Sequence, residues 1–193
     1  MIKNIYFLVL ISLLISCSEK QFSFENYTTY PIKFAKKNFV YPNNEFESFL
    51  PFNWESKVEN YKDNDEIILG IDAFSKPDND NFINVISIQK MKSFSSKKDL
   101  KSEYDYFIEK VKQKTSLEII DLGKTDFLKN EAYFIHSKSN TGTYGELEMI
   151  TIITKSKNDD NYYHLNASAP TVKELKMNMS VMISCLKTFK QNN

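Results

Sequence analysis

The hydrophobic positions of the chain recur with two periods, and the shorter period predicts β-strands. Apolar residues alternate with polar ones, or run together briefly, in residues 67–74, 82–89, 117–122, 132–136, 147–153 and 162–167. A further segment, residues 46–54, has the pattern of a short edge strand that breaks at Pro51. The polar turn 75–81 joins the first two segments, so the sequence predicts an antiparallel hairpin there.

Two other segments carry the helical period. Ser96, with Asp99 three residues later, resembles a capping box at the start of the first helix. Its apolar face comprises Leu100, Tyr104, Phe107, Ile108 and Val111. Thr171 and Glu174 form a capping box before the final helix. The apolar stripe of that helix comprises Leu175, Met179, Met182, Leu186 and Phe189.

The order of these elements is hairpin, helix, meander of strands, helix. Strands that follow one another without intervening helices favour an antiparallel sheet, whereas regular alternation with helices would favour a parallel one. The sequence therefore predicts an α+β fold, in which two amphipathic helices pack on an antiparallel β-sheet, as a single domain over residues 46–190. A chain of this length can bury a hydrophobic core of its own.

The N-terminal apolar run differs from all of these segments. It covers residues 5–15, follows Lys3, and is shorter than the ~20 residues that a membrane-spanning helix needs. Its length fits the apolar region of a secretory signal peptide, which is ~7–15 residues long. The run closes with Leu14-Ile15-Ser16-Cys17, which resembles the lipobox of bacterial lipoproteins.

That resemblance implies that residues 1–17 hold a lipoprotein signal peptide, cleaved before Cys17, and that Cys17 then carries fatty acyl chains such as palmitate. The lipid would anchor the protein to a membrane of the bacterial cell envelope, with its domain in the periplasm or at the surface. Ser18 stands where an aspartate retains some lipoproteins in the inner membrane, so an outer membrane is favoured if one exists. Residues 18–45 are predicted to be a tether, partly docked on the domain.

The charge balance limits the classes of partner. The 25 lysines equal the 25 acidic residues, and the chain contains no arginine. A chain without net charge has no basic field to attract nucleic acid, so we expect no nucleic-acid partner. Arginine is the usual bidentate donor to phosphate, and its absence counts against a phosphate-reading site.

Residue types that carry catalysis are scarce. Cys185 lies among apolar residues of the final helix, and we interpret it as a buried, inert thiol. His136 and His164 fall in separate strands, where structural or surface roles are expected. With four glycines in all, the chain has no glycine-rich loop that would cradle a phosphate. We therefore predict no catalytic residue, no metal site and no cofactor.

Two polar turns hold the oxygen ligands that calcium prefers. Asp78-Asn79-Asp80-Asn81 begins like an EF-hand loop, but Phe82 takes the fifth position and no glycine follows at the sixth. We interpret it as a solvated turn and leave cation binding there as a hypothesis. The turn over residues 158–161 has the same interpretation.

Several segments together resemble the PsbP/Mog1-like fold, including the PsbP-related bacterial lipoproteins. Phe49-Leu-Pro-Phe-Asn-Trp54 is similar to the opening strand of that family, and residues 96–111 match the place of its mid-chain helix. Residues 145–153 are similar to its central strand, and Ser184-Cys-Leu-Lys-Thr-Phe189 to its closing helix. The resemblance covers residues 46–190. It implies a fold but no single activity, since some members assist photosystem assembly and others bind a small GTPase.

These observations predict a lipid-anchored envelope protein that acts without catalysis, as a binding or assembly-support module for an envelope protein partner. Anchoring would concentrate the domain at a surface, where modest contacts become effective. The alternative is an envelope enzyme or small-ligand carrier, whose cleft is formed by residues scattered in sequence. An exposed apolar patch would favour the first function, and a closed pocket with convergent ionisable groups would favour the second.

Overall fold

The computed structural model describes residues 24–27, 29–59, 61, 64–114, 116–140, 142, 145–172 and 174–192. A short 3-10 helix, Phe24–Tyr27, comes first. The strands are β1 (Phe39–Val40), β2 (Phe46–Ser48), β3 (Glu55–Val58), β4 (Ile67–Phe74), β5 (Val85–Met91), β6 (Leu117–Thr125), β7 (Ala132–Asn140), β8 (Glu146–Lys155), β9 (Tyr162–Pro170) and β10 (Lys190–Gln191). The α-helices are α1 (Leu100–Lys112) and α2 (Leu175–Leu186).

The main sheet has seven strands in the order β3-β4-β5-β9-β8-β7-β6, and every neighbouring pair is antiparallel. The last strand of the meander, β9, lies beside β5 and so joins the meander to the hairpin β4–β5. A second, smaller sheet has the order β1-β2-β10. The predicted α+β fold with an antiparallel sheet is confirmed.

The two helices cover opposite faces of the main sheet. Along β8, Ile152 belongs to the core beneath α2, whereas its neighbour Ile153 belongs to the core beneath α1, as strand alternation requires. Side chains of α2 that fill the first core are Met179, Met182, Ile183, Cys185 and Leu186. Side chains of α1 that fill the second are Leu100, Tyr104 and Ile108.

The N-terminal part of the described chain packs on the same face of the main sheet as α2. Phe24 is 4% exposed, and its ring centroid lies 4.5 Å from that of Phe127 and 5.6 Å from that of Phe134. Tyr27 and Ile32 pack against the same core. We call the 3-10 helix, residues 32–52, β10 and α2 together the α2 layer. The predicted tether, residues 18–45, begins outside the described residues, and the tether assignment stays a prediction.

The helix starts differ from the predicted capping boxes. Asp99, rather than Ser96, caps α1, and its side chain accepts a hydrogen bond from the Ser102 amide at 2.9 Å. Aspartate accepts this bond as well as serine does, so a sequence that contains both does not fix the residue at which the helix begins. Glu174 occupies the cap position of α2 and makes no side-chain capping bond, so the predicted box of Thr171 and Glu174 is wrong.

The second hairpin strand starts later than its apolar run suggests. The Asp78 carboxylate accepts a hydrogen bond from the Phe82 amide at 2.8 Å, which extends the turn and delays β5 until Val85. The apolar stripe of the final helix also runs past its end: α2 stops at Leu186, and Phe189 packs on Phe46 instead. In the part of the chain described, no helix combines the length and the apolar character needed to cross a bilayer.

Candidate functional site

The structure describes one of the two cysteines. Cys185 is fully buried in α2, and burial raises the pKa of its thiol to about 12, so it stays protonated and unreactive. Cys17, the predicted lipid-bearing residue, lies outside the described residues, and its lipidation stays a prediction.

His164 occupies the core beneath α1. Its side chain is 4% exposed, and the Phe107 ring meets it edge to face with centroids 4.9 Å apart. Burial lowers the pKa of His164 to about 4, and Nε2 has no hydrogen-bond partner among the described residues. The imidazole is therefore neutral near pH 7 and packs as a core side chain.

His136 lies on the other face of the sheet, so the two histidines do not form one site. Its Nε2 is 3.2 Å from Oε1 of Glu148, and both side chains are largely buried. Burial lowers the pKa of His136, while Glu148 and Asp121 act in the opposite direction. The pair joins β7 to β8 beneath the α2 layer, away from solvent.

The turn at Asp78 is organised by its own backbone. Oδ1 of Asp78 accepts hydrogen bonds from the amides of Asp80 and Phe82, at 2.9 and 2.8 Å. This oxygen of Asp78 is thus engaged within the turn, and cation binding there stays a hypothesis. Among the described residues, no group of three or more histidine, cysteine, aspartate or glutamate side chains is arranged to hold a metal ion.

A row of polar residues crosses the main sheet on the face where α1 packs. Lys57, Asp72, Ser87, Asn166 and Thr151 lie directly opposite one another on β3, β4, β5, β9 and β8. The Ser87 hydroxyl donates to Asp72, and the Thr151 hydroxyl donates to Asn166 at 2.7 Å. We call these five residues the polar row. Sequence reasoning missed it.

Most of the polar row remains accessible because α1 packs mainly on β6, β7 and β8. Asp72, Ser87 and Asn166 are half-buried, and Lys57 is exposed. Burial raises the pKa of the Asp72 carboxyl, although the hydrogen bond from Ser87 lowers it. The row therefore presents oriented donors and acceptors on a rigid sheet, which suits recognition of a polar surface. The hydrogen bond between the Ser87 hydroxyl and the Asp72 carboxylate gives both groups a partner within the row.

A cavity of about 240 Å³ lies between the β6–β7 loop and the C-terminal strand. Its lining is Leu128, Lys129, Asn130, Lys157, Phe189, Lys190 and Gln191. Gln191 is held in place, since its Oε1 accepts from the Lys157 amide at 2.7 Å and its Nε2 donates to the Lys155 carbonyl at 3.0 Å. Lysine and amide groups favour a small anion, and this described lining offers no carboxylate, histidine or thiol for catalysis.

Comparison with solved structures shows the fold. Cyanobacterial PsbP from Synechocystis sp. PCC 6803 has a TM-score of 0.60 and 11% identity, over 85% of this chain and 95% of that one. The Saccharomyces cerevisiae Ran-binding protein Mog1p has a TM-score of 0.53 and 10% identity, over 83% and 96%. LpqN of Mycobacterium tuberculosis, described as involved in cell envelope biogenesis, has a TM-score of 0.54 and 12% identity, over 90% and 99%.

These likenesses confirm the predicted PsbP/Mog1-like fold. At such low identity the comparisons establish only the fold, and the activities of the three proteins are not assigned to this chain. No protein-family model matches the sequence, and no curated protein matches it either.

Proposed function

We propose that the protein is an envelope lipoprotein, anchored through lipid on Cys17, that acts as a non-enzymatic binding or assembly-support module for an envelope protein. The anchor is inferred from Leu14-Ile15-Ser16-Cys17 and the apolar run before it. An envelope role is compatible with the fold, since LpqN, a protein of cell envelope biogenesis, has a similar one.

The polar row is the structural feature that supports the binding role. Its hydrogen-bonding groups are fixed by five adjacent strands, so little side-chain entropy would be lost when a partner pairs with them. Its ionisable groups are one lysine and one carboxylate, and the carboxylate already accepts a hydrogen bond from Ser87. This arrangement of fixed donors and acceptors supports recognition of a partner.

The lysine-lined cavity favours the alternative of a small-ligand carrier. Lys129, Lys157 and Lys190 converge on a space large enough for a small anion with an apolar portion, which Leu128 and Phe189 would contact. One cation of the set is already paired, because Lys190 Nζ lies 2.9 Å from Glu47. A carrier would bind at the cavity and not at the polar row.

Site-specific photo-crosslinking in the native membrane tests the proposal. A photoreactive phenylalanine analogue replaces Lys57, whose side chain is 69% exposed at the end of the polar row, or the neighbouring half-exposed Ser168. The matched control carries the analogue in place of Lys112, 56% exposed on α1. We expect mass spectrometry to find one envelope protein crosslinked from the first two positions and not from the control.

Two results would contradict the preference for a partner-binding module over a small-ligand carrier. Crosslinks that are no more abundant at Lys57 and Ser168 than at Lys112 would remove the polar row as a partner surface. Recovery of a small anion with the purified protein, lost when Lys129 and Lys157 are changed to glutamine, would establish the carrier function in its place.

A further inference from the structure

An exposed aromatic ribbon forms the outer part of the α2 layer. Its two segments are joined by backbone hydrogen bonds of 2.8 Å, from the Ala35 amide to the Leu50 carbonyl and from the Phe52 amide to the Lys33 carbonyl. Phe34 lies opposite Pro51 between these bonds. The side chains of Phe34 and Phe52 are nevertheless 38% and 46% exposed, so two large apolar groups are held in contact with water.

Three lysines flank these rings. Lys33, Lys36 and Lys37 are exposed, and none lies within ion-pair distance of a carboxylate among the described residues. Two carboxylates of the adjoining segment are engaged with other lysines: Glu45 pairs with Lys90, and Glu47 pairs with Lys190. The ribbon therefore holds three exposed lysines next to exposed aromatic side chains.

The ribbon lies on the side of the molecule where the chain enters from its N-terminus. Phe24 is buried in the α2 layer, and Leu50, whose carbonyl accepts the Ala35 amide between the two ribbon segments, belongs to the same core. Seven residue steps separate Cys17 from Phe24, and a chain extends at most ~3.5 Å per residue, so Phe24 lies within about 25 Å of Cys17 whatever path the chain takes. An anchor at Cys17 would bring this layer, with its ribbon, close to the membrane.

We propose that the ribbon, defined by Lys33, Phe34, Lys36, Lys37 and Phe52, rests on the anionic lipid headgroups of the membrane that holds the anchor. Aromatic rings favour the interface between headgroups and acyl chains, and lysines extend their charged ends to anionic headgroups. The inference rests on the lipid anchor of the proposed function and adds an orientation to it. The α2 layer faces the membrane, and α1 with the polar row faces away from it.

The single tryptophan provides a native probe of this contact. Trp54 follows Phe52 by two residues and is half-buried against the same core. The full lipidated chain is reconstituted into vesicles of phosphatidylcholine, with or without phosphatidylglycerol, that contain a shallow spin-labelled lipid. We expect Trp54 fluorescence to be quenched more strongly in the vesicles with phosphatidylglycerol, and added salt to reduce the difference.

Lysine variants test whether the phosphatidylglycerol-dependent quenching comes from the lysines of the ribbon or from the positive charge of the whole protein. A variant with Lys33, Lys36 and Lys37 all changed to glutamine is expected to lose the phosphatidylglycerol-dependent quenching. The matched control changes Lys92, Lys97 and Lys114, which are also exposed but lie outside the α2 layer, and is expected to keep it. Phe34→Ser with Phe52→Ser is expected to reduce quenching in both kinds of vesicle, with thermal unfolding measured to show that the variant folds.

An introduced thiol gives a second readout, because Cys185 is buried and lipid would occupy Cys17. A polarity-sensitive fluorophore on Lys36→Cys is expected to shift to shorter wavelength on reconstitution, and one on Lys97→Cys is not. A lipidated, vesicle-bound chain in which both labels behave alike and Trp54 is unquenched would overturn the orientation and leave the anchor standing. A chain that mass spectrometry shows to carry no lipid, and that does not sediment with vesicles, would overturn both.

Discussion

Lys90 and Asp159 form an ion pair that fastens β5 to the turn between β8 and β9, with Nζ and Oδ2 2.7 Å apart. The Lys90 side chain is 3% exposed and also lies 2.9 Å from Glu45, in the loop before β2. Burial lowers the pKa of Lys90, but its two carboxylate partners outweigh that effect and raise it overall. A buried ammonium thus depends on two acidic side chains from distant parts of the chain.

Replacing one of these carboxylates is expected to destabilise the fold. Breaking a fully buried pair costs about 3–5 kcal/mol. Asp159 is 37% exposed, so solvent screening reduces the cost, and we expect Asp159→Asn to lower the free energy of unfolding by about 1–2 kcal/mol. Denaturant unfolding at pH 7 measures this. Asp80→Asn, in an exposed turn, is the control and is expected to change stability little; equal losses in the two variants would contradict the role of the pair.

The same pair predicts a dependence on acid. Hydrogen bonds from Lys90 and from residues of its own turn outweigh burial and hold the pKa of Asp159 at about 2. Because this pKa is lower in the folded than in the unfolded protein, the stabilisation is present above pH 4 and is lost as the pH falls from about 4 towards 2. In Asp159→Asn, unfolding measured across that range is expected to show a smaller loss.

The elements that could be predicted are those marked by an apolar pattern and a turn within their own stretch of sequence. Residues 67–74 were predicted as a strand and form β4 with the same bounds, because an apolar run ends there at a turn rich in aspartate and asparagine. The four residues of β3 are all exposed, so no alternation marks them in the sequence. This strand exists because it pairs with β4, and pairing is not visible in a short polar segment.

The polar row could not be predicted, because it depends on strand order and register. Asp72 and Ser87 belong to one hairpin, whose register a turn can fix, but Asn166 comes between Ser87 and Thr151 only because β9 inserts between β5 and β8. Asp72 is a polar position between apolar neighbours, whereas Lys57 lies in the polar strand β3. Such positions can be found in the sequence, but only the assembled sheet shows that five of them align.

His164 predicts a second loss of stability in acid, at higher pH. Its pKa is about 4 in the folded protein and close to 6.5 in an unfolded chain, so the unfolded state takes up the proton first. Stability is full above pH 6.5 and declines as the pH falls towards 4, by on the order of 3 kcal/mol. His164→Leu removes the group that titrates. We expect its free energy of unfolding to change less between pH 7 and 4.5 than that of the unchanged protein, and parallel pH profiles would exclude His164 as the cause.

Gly70 is required by the close approach of β4 and β5. A Cβ atom at this position would lie 2.8 Å from the carbonyl oxygen of Ile88 and 3.1 Å from Cγ of Gln89. The carbonyl belongs to the backbone and cannot turn aside, so we expect Gly70→Ala to destabilise the protein by about 1–3 kcal/mol. Gly142→Ala is the control, since nothing lies within 4 Å of its Cβ and the cost comes from its φ of +67° alone. Thermal unfolding compares them, and a smaller cost at Gly70 than at Gly142 would contradict the steric argument.

The two cysteines are expected to differ completely in their chemistry. If Cys17 carries the lipid, Cys17→Ser should abolish incorporation of labelled palmitate and move the protein from the membrane fraction to the soluble fraction. Cys185→Ser should leave both unchanged, because this thiol is buried and its raised pKa keeps it protonated. A maleimide should therefore modify Cys185 only after denaturation. A Cys17→Ser protein that is still acylated and sediments with membranes would refute the anchor, because the chain contains no other accessible thiol among the residues described.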